Sequence, residues 1–255
     1  MRNSRRMGPL TGLLALALVG GGCELFDTSQ PVDVNVFAAH HPRRGMDGTF
    51  PDYGFADSKR TWVNDLGWQI NVFEGYIVIT AAELISCDGA RYPVEMPKGP
   101  FPEYLNSLDL DVKNLGALQV PEDTYCEVAV TYGPYDPSVA AAAPEGAHPL
   151  PTQSDLNGIS IVLAGSAVKD DQVVDFTLIS GASQSLTAKL READGSPTEY
   201  EIVDGVGSFK VTIGKTYDRF FDGIDFATYD PQATSDTLMQ ILVDETRVYR
   251  GTTIF

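Results

Sequence analysis

Val32-Asp33-Val34-Asn35-Val36-Phe37-Ala38 places Val32, Val34, Val36 and Ala38 in one row and Asp33, Asn35 and Phe37 in the other. Successive side chains on an extended backbone point to opposite faces, so this period of two predicts a strand with one buried face. Pro42 ends it, because proline cannot donate to a ladder. The habit recurs along the chain. Trp68, Ile70 and Val72 share a side of a strand over 68–73, and 76–80 and 83–87 carry the pattern to a turn at Asp88-Gly89. Leu108, Leu110 and Val112 alternate with Asp109, Asp111 and Lys113, which predicts a half-exposed strand. Cys126, Val128, Val130 and Tyr132 line one face of a strand over 125–132. Five more short strands are predicted over 159–163, 173–179, 185–190, 200–203 and 208–213.

Proline and glycine punctuate the series. Residues 42–58 hold three glycines, two prolines and the aspartates Asp47, Asp52 and Asp57, and are expected to form a long loop. Loops of that length in a compact domain are uncommon and often functional. Residues 93–102 are proline-rich and expected to be irregular. Residues 133–158, with five prolines and an alanine run, form a linker or surface excursion, so a sub-division near 134–157 is an expectation. The C-terminus changes period. Leu238, Ile241, Leu242, Glu245, Val248 and Tyr249 fall at helical spacing, with Ser235 as the cap and Arg247, Arg250 and Gly251 near the end. The expected fold is mostly β, an antiparallel β-sandwich over 31–255 with one C-terminal helix.

Residues 1–23 are of another kind. Arg2, Arg5 and Arg6 precede an apolar run over 10–19, then Gly20-Gly21-Gly22-Cys23. That order is the signature of an export signal. A ten-residue helix reaches only about 15 Å, half the roughly 30 Å of a hydrocarbon core, so the run is not read as a permanent span. The small residues leading into Cys23 resemble the lipobox of bacterial lipoproteins. The resemblance implies that residues 1–22 are a signal peptide, that Cys23 is lipidated, and that 23–30 tether the domain to a membrane. Glu24 is not the aspartate that the lipoprotein family associates with inner-membrane retention. The implied address is therefore the cell envelope, at the outer membrane, facing the periplasm or the cell surface.

With Cys23 lipidated, Cys87 and Cys126 remain, and an oxidising periplasm reads an even remainder as one disulfide. A metal-ligand role is the rival, though neither cysteine belongs to a C-x-x-C pair. The net charge of −17 becomes −20 once residues 1–22 and their three arginines are removed. A chain this acidic repels phosphate backbones, which sets nucleic-acid binding aside, and leaves membrane attachment to the lipid.

The chemistry-bearing candidates are few. His40 and His41 stand together where the first strand enters the aspartate-bearing loop, and His148 lies in the other excursion. A neutral imidazole nitrogen donates well to transition metals, so a site of His40 or His41, His148 and the carboxylate of Asp47 suits Cu or Zn. Neighbours on an extended backbone point apart, so one of the adjacent pair is expected to ligate. Surface histidines are the alternative. Asp47, Asp52 and Asp57 are spaced by five rather than by two, unlike an EF-hand loop. There is no G-x-S-x-G, H-E-x-x-H or phosphate-cradling loop, and no catalytic residue is assigned. Trp62 and Trp68 suit core packing better than a carbohydrate groove at the alternating positions they occupy. The sequence thus reads as a non-enzymatic, lipid-anchored binding protein, its most specific task being Cu or Zn binding through loop histidines. The rival is an envelope adhesin, assembly or structural lipoprotein that meets a protein or glycan partner through the loop at 42–58.

Overall fold

A computed structural model describes residues 31–54, 59–141, 156–203 and 208–254. The leader, Cys23, the tether and His148 lie outside the described residues, as do residues 55–58 and 142–155 of the two long loops. The strands are β1 (Val32–His41), β2 (Arg60–Val63), β3 (Gln69–Ser86), β4 (Arg91–Pro93), β5 (Phe101–Tyr104), β6 (Lys113–Val120) and β7 (Asp123–Tyr132). After a short turn of helix, α1 (Pro137–Ala141), come β8 (Ile161–Lys169), β9 (Gln172–Ser180), β10 (Gln184–Arg191), β11 (Tyr200–Ile202) and β12 (Phe209–Thr216). Helix α2 (Pro231–Asp244) and β13 (Thr246–Arg250) complete the chain.

The strands form one 13-stranded sheet, with order β6-β1-β12-β13-β10-β7-β3-β8-β9 and β2, β4, β5 and β11 as branches. The sheet is mixed, which corrects the expectation of antiparallel pairing throughout. β1 runs parallel to β12, with His40 beside Lys215 and His41 beside Thr216. β10 runs parallel to β13 through Leu190 and Arg191. Parallel neighbours need a crossover rather than a hairpin, so no local turn signal announces them. Val34, Val36 and Ile213 from one end of the sheet share a core with Ile70, Leu84 and Val128 from the other, so the sheet curls on itself.

The alternation of β1 is realised, with Val32, Val34, Val36 and Ala38 buried. Three expected strands merge into the 18-residue β3. Register shifts between Val72 and Glu74 and between Ile79 and Ala81 let so long a strand bend. Gly165 lies opposite the first of these shifts, where a Cβ would come within 2.0 Å of the Asn71 carbonyl oxygen. Cys87 and Cys126 form a disulfide joining the end of β3 to β7. Residues 93–102 are less irregular than expected, since β5 pairs with β3.

Two expectations at element boundaries are corrected. The helix begins at Pro231, not near Ser235, because Asp230 caps it by accepting from the Ala233 N–H and proline suits the first turn. It stops at Asp244, and Val248 and Tyr249 belong to β13, where a β-branched and an aromatic residue fit a pleated surface. The strand expected from Leu108 begins only at Lys113. Leu110 takes a left-handed φ of 61° and donates its N–H to the His40 carbonyl oxygen at 3.0 Å. Residues 105–112 therefore fold across the end of β1.

Candidate functional site

The last two residues of β1 divide as strand geometry requires. His40 continues the inward row of Val34, Val36 and Ala38, while His41 continues the row of Ala39, and both are buried.

On the inner side, His40 enters a cluster of charges drawn from four segments. Glu103 comes from β5, Arg60 from β2, Lys215 from β12 and Asp109 from the segment crossing β1. His40, Glu103, Arg60 and Lys215 are each 2% exposed or less. Nδ1 of His40 lies 2.9 Å from Oε1 of Glu103, and a carboxylate only accepts, so Nδ1 carries the proton. Nε2 faces Nη2 of Arg60 and the Ser107 carbonyl, each at 3.3 Å. Lys215 Nζ contacts Oε2 of Glu103. Arg60 donates to the carbonyls of Gly54, Leu105 and Ser107, to Asp109 at 3.0 Å and to the Tyr217 hydroxyl at 2.8 Å. Its guanidinium also stands over the Tyr217 ring, 4.7 Å from the centroid. The Tyr217 hydroxyl donates to Asp109 at 3.0 Å.

Burial alone would push the Glu103 carboxyl up, but the Lys215 ammonium and the His40 hydrogen bond outweigh it and hold Glu103 down at about 2. At Asp109 burial wins over Arg60 and the carboxyl lies above its ordinary range. Burial, with Asp109 alongside, pushes the Tyr217 phenol well up. Two cations meet two carboxylates, so the cluster compensates itself. Removing one member from such a set typically costs 3–5 kcal/mol, because its partner is left charged in a dry interior.

On the other side, His41 packs edge-on against Phe50 (5.4 Å between centroids) and Tyr249 (6.4 Å). Phe50 belongs to the loop after β1, which folds back over Ala39, Tyr249, Val112 and Ile254. Nδ1 donates to the Pro42 carbonyl oxygen at 2.9 Å, which leaves the lone pair on Nε2. That buried nitrogen has no hydrogen-bond partner among the described residues. Burial lowers the pKa of His41 to about 4, the Pro42 carbonyl opposing and nearby His40, Lys215 and Arg44 assisting. The ring is therefore neutral near pH 7. Gly214 sits across from it, and a Cβ there would stand 3.4 Å from Nε2.

Asp47 stays at the exposed loop tip, where its carboxylate accepts from the Thr49 N–H and hydroxyl. These bonds lower its pKa. His40, His41 and Asp47 do not converge on one point. Among the described residues, the three metal-ligand side chains that gather within 4.8 Å are Cys87, Cys126 and Glu199, and both sulfurs are already joined.

No family model matches the chain, and no curated protein matches it. Among solved structures it is similar to MbnP from Methylosinus trichosporium, at 11% identity and a TM-score of 0.33, the likeness covering 73% of this chain and 76% of that one. So slight a likeness carries neither fold nor function, and geometry alone distinguishes the two histidines. His40 has both nitrogens engaged. His41 offers one free donor, with its other nitrogen anchored on a carbonyl, the arrangement that fixes the tautomer of a ligating imidazole.

Glu103, Arg60, Lys215, Asp109 and Tyr217 were not singled out from the sequence, yet a signal existed for two. Lys215 follows Phe209, Val211 and Ile213 on the same row of a strand, and Arg60 shares a row with Trp62. A charge on the inward row of an apolar strand announces a buried partner.

Proposed function

We propose that this is a non-enzymatic binding protein of the bacterial envelope, lipid-anchored through Cys23, that takes a Cu or Zn ion with His41 as the anchoring ligand. The observation supporting it is the bare Nε2 of His41, neutral, buried and oriented through Nδ1. His148 is the second imidazole available to the set. Phe50 and its loop lie over the ring, so the ion enters as that loop lifts. Placement agrees with an outward-facing role. At about 3.3 Å per residue, the ten residues of β1 carry the histidines some 30 Å from the start of that strand at Val32.

Titration calorimetry of the mature protein with Cu(II) and Zn(II) tests the reading. Affinity well below the millimolar range, lost in His41→Ala and weakened in His148→Ala, is expected. Affinity no better than millimolar, or unchanged by His41→Ala, refutes it.

A second reading, contact with an envelope protein partner, is favoured by the same rim. Met46, Leu108 and Leu110 are exposed there, and Phe50, Pro51, Asp52, Leu108 and Asp109 line a cavity of about 230 Å³. Shortening the loop after β1 would abolish partner capture while leaving metal-free folding intact.

A further inference from the structure

Lys215 and Glu103 face each other from β12 and β5, strands on different limbs of the curled sheet. Lys215 is 0% exposed and Glu103 2%. Nζ touches Oε2 of the carboxylate and lies 3.4 Å from the Ile213 carbonyl oxygen. The other carboxylate oxygen, Oε1, is held by Nδ1 of His40, whose ring is steadied by Arg60 at Nε2. Tyr132, which interacts with Glu103, and Tyr217, edge-on to the His40 ring at 5.9 Å, are both buried. A primary amine, a carboxyl and a proton-relaying imidazole are thus locked together away from water.

We propose that Lys215 and Glu103 join in an intramolecular amide bond, with His40 as the group that serves the departing oxygen. The bond formed is Nζ–Cδ and the bond broken is Cδ–Oε1. Two of the three ammonium protons leave with Oε1 as water, one relayed through the imidazole, and Oε2 remains as the amide oxygen. One positive and one negative charge are consumed together, so no oxidant, reductant or co-reactant is needed.

Two physical terms favour the step here. Condensation removes a buried charge pair, and with it the desolvation penalty that each ion bears in a dry interior. Fixed neighbours react with effective concentrations of about 10⁵ M or more, and expelled water does not return to a dry interior. The product ties β12 to β5 covalently.

Tryptic peptide mapping of the purified full chain, with mass spectrometry, decides it. The expected species is residues 99–113 joined to 211–219, lighter by one water than the sum of the two, with no cleavage after Lys215. Glu103→Ala should restore cleavage there, and His40→Ala should leave most of the chain unjoined. If the unmutated chain yields the two peptides separately, cut after Lys215, the pair is an ion pair and the proposal is overturned. This outcome is independent of whether any variant folds and of whether the protein binds metal.

Discussion

Nδ1 of His40 and Oε1 of Glu103 stand 2.9 Å apart although 63 positions separate them in the chain. The contact joins β1 to β5 across the interior. It also explains why two adjacent histidines have different fates: one is spent on holding the sheet together, and the other is left with a free nitrogen.

Lys215→Met removes the group that compensates Glu103, whether as its cation or as its partner in the proposed amide. The carboxylate is then buried beside His40 with its main partner gone, and a loss of about 3–5 kcal/mol in unfolding free energy is expected. Urea denaturation measures it, and a loss below about 1 kcal/mol would mean that Glu103 is reached by water after all.

Stability should fall with acid because of His41. Its folded pKa of about 4 lies below the ordinary 6.5, so the unfolded chain binds more protons between those values. The contribution is complete above pH 6.5 and is lost as pH falls toward 4, on the order of 3 kcal/mol. In chains whose Glu103 is not joined to Lys215, that depressed carboxyl adds a loss in the same direction at lower pH. His41→Leu should flatten the slope between pH 6.5 and 4 in urea titrations. An unchanged slope would place the titrating group elsewhere.

Reducing Cys87–Cys126, or replacing both cysteines by serine, frees a loop spanning 39 positions. The chain-entropy model gives about 4 kcal/mol for its closure. Thermal unfolding with and without reductant tests this. Coincident transitions would show that the tie constrains little in the unfolded chain.

Leu110→Gly should stabilise. The φ of 61° at Leu110 is one a leucine adopts at a cost of roughly 1 kcal/mol and a glycine does not. The side chain is partly exposed, so little packing is forfeited. A lower melting temperature would mean that its contacts outweigh the backbone strain.

Most individual strands were legible because alternation is local. Val34 and Val36 announce their buried face without reference to the rest of the chain, and Cys87 and Cys126 could be paired by elimination once Cys23 was read as lipidated. Direction and neighbours were not legible, since β1 meets β12 some 175 positions away. Leu108–Val112 has the period of a strand and is none, because one left-handed residue at 110 turns the chain over β1. Val248 satisfies helical and strand spacing alike, and its β-branched side chain with Tyr249 beside it decided for the strand. The histidines were visible as a pair. Their difference was not, because Glu103, Arg60 and Lys215, which engage one ring, arrive from three distant segments.

The binding of Cu(II) or Zn(II), followed by calorimetry in the unmutated protein and in His41→Ala, tests the account most directly. The account predicts affinity well below millimolar that disappears when this single imidazole is removed. Equal heats from the two proteins, or none from either, would contradict it.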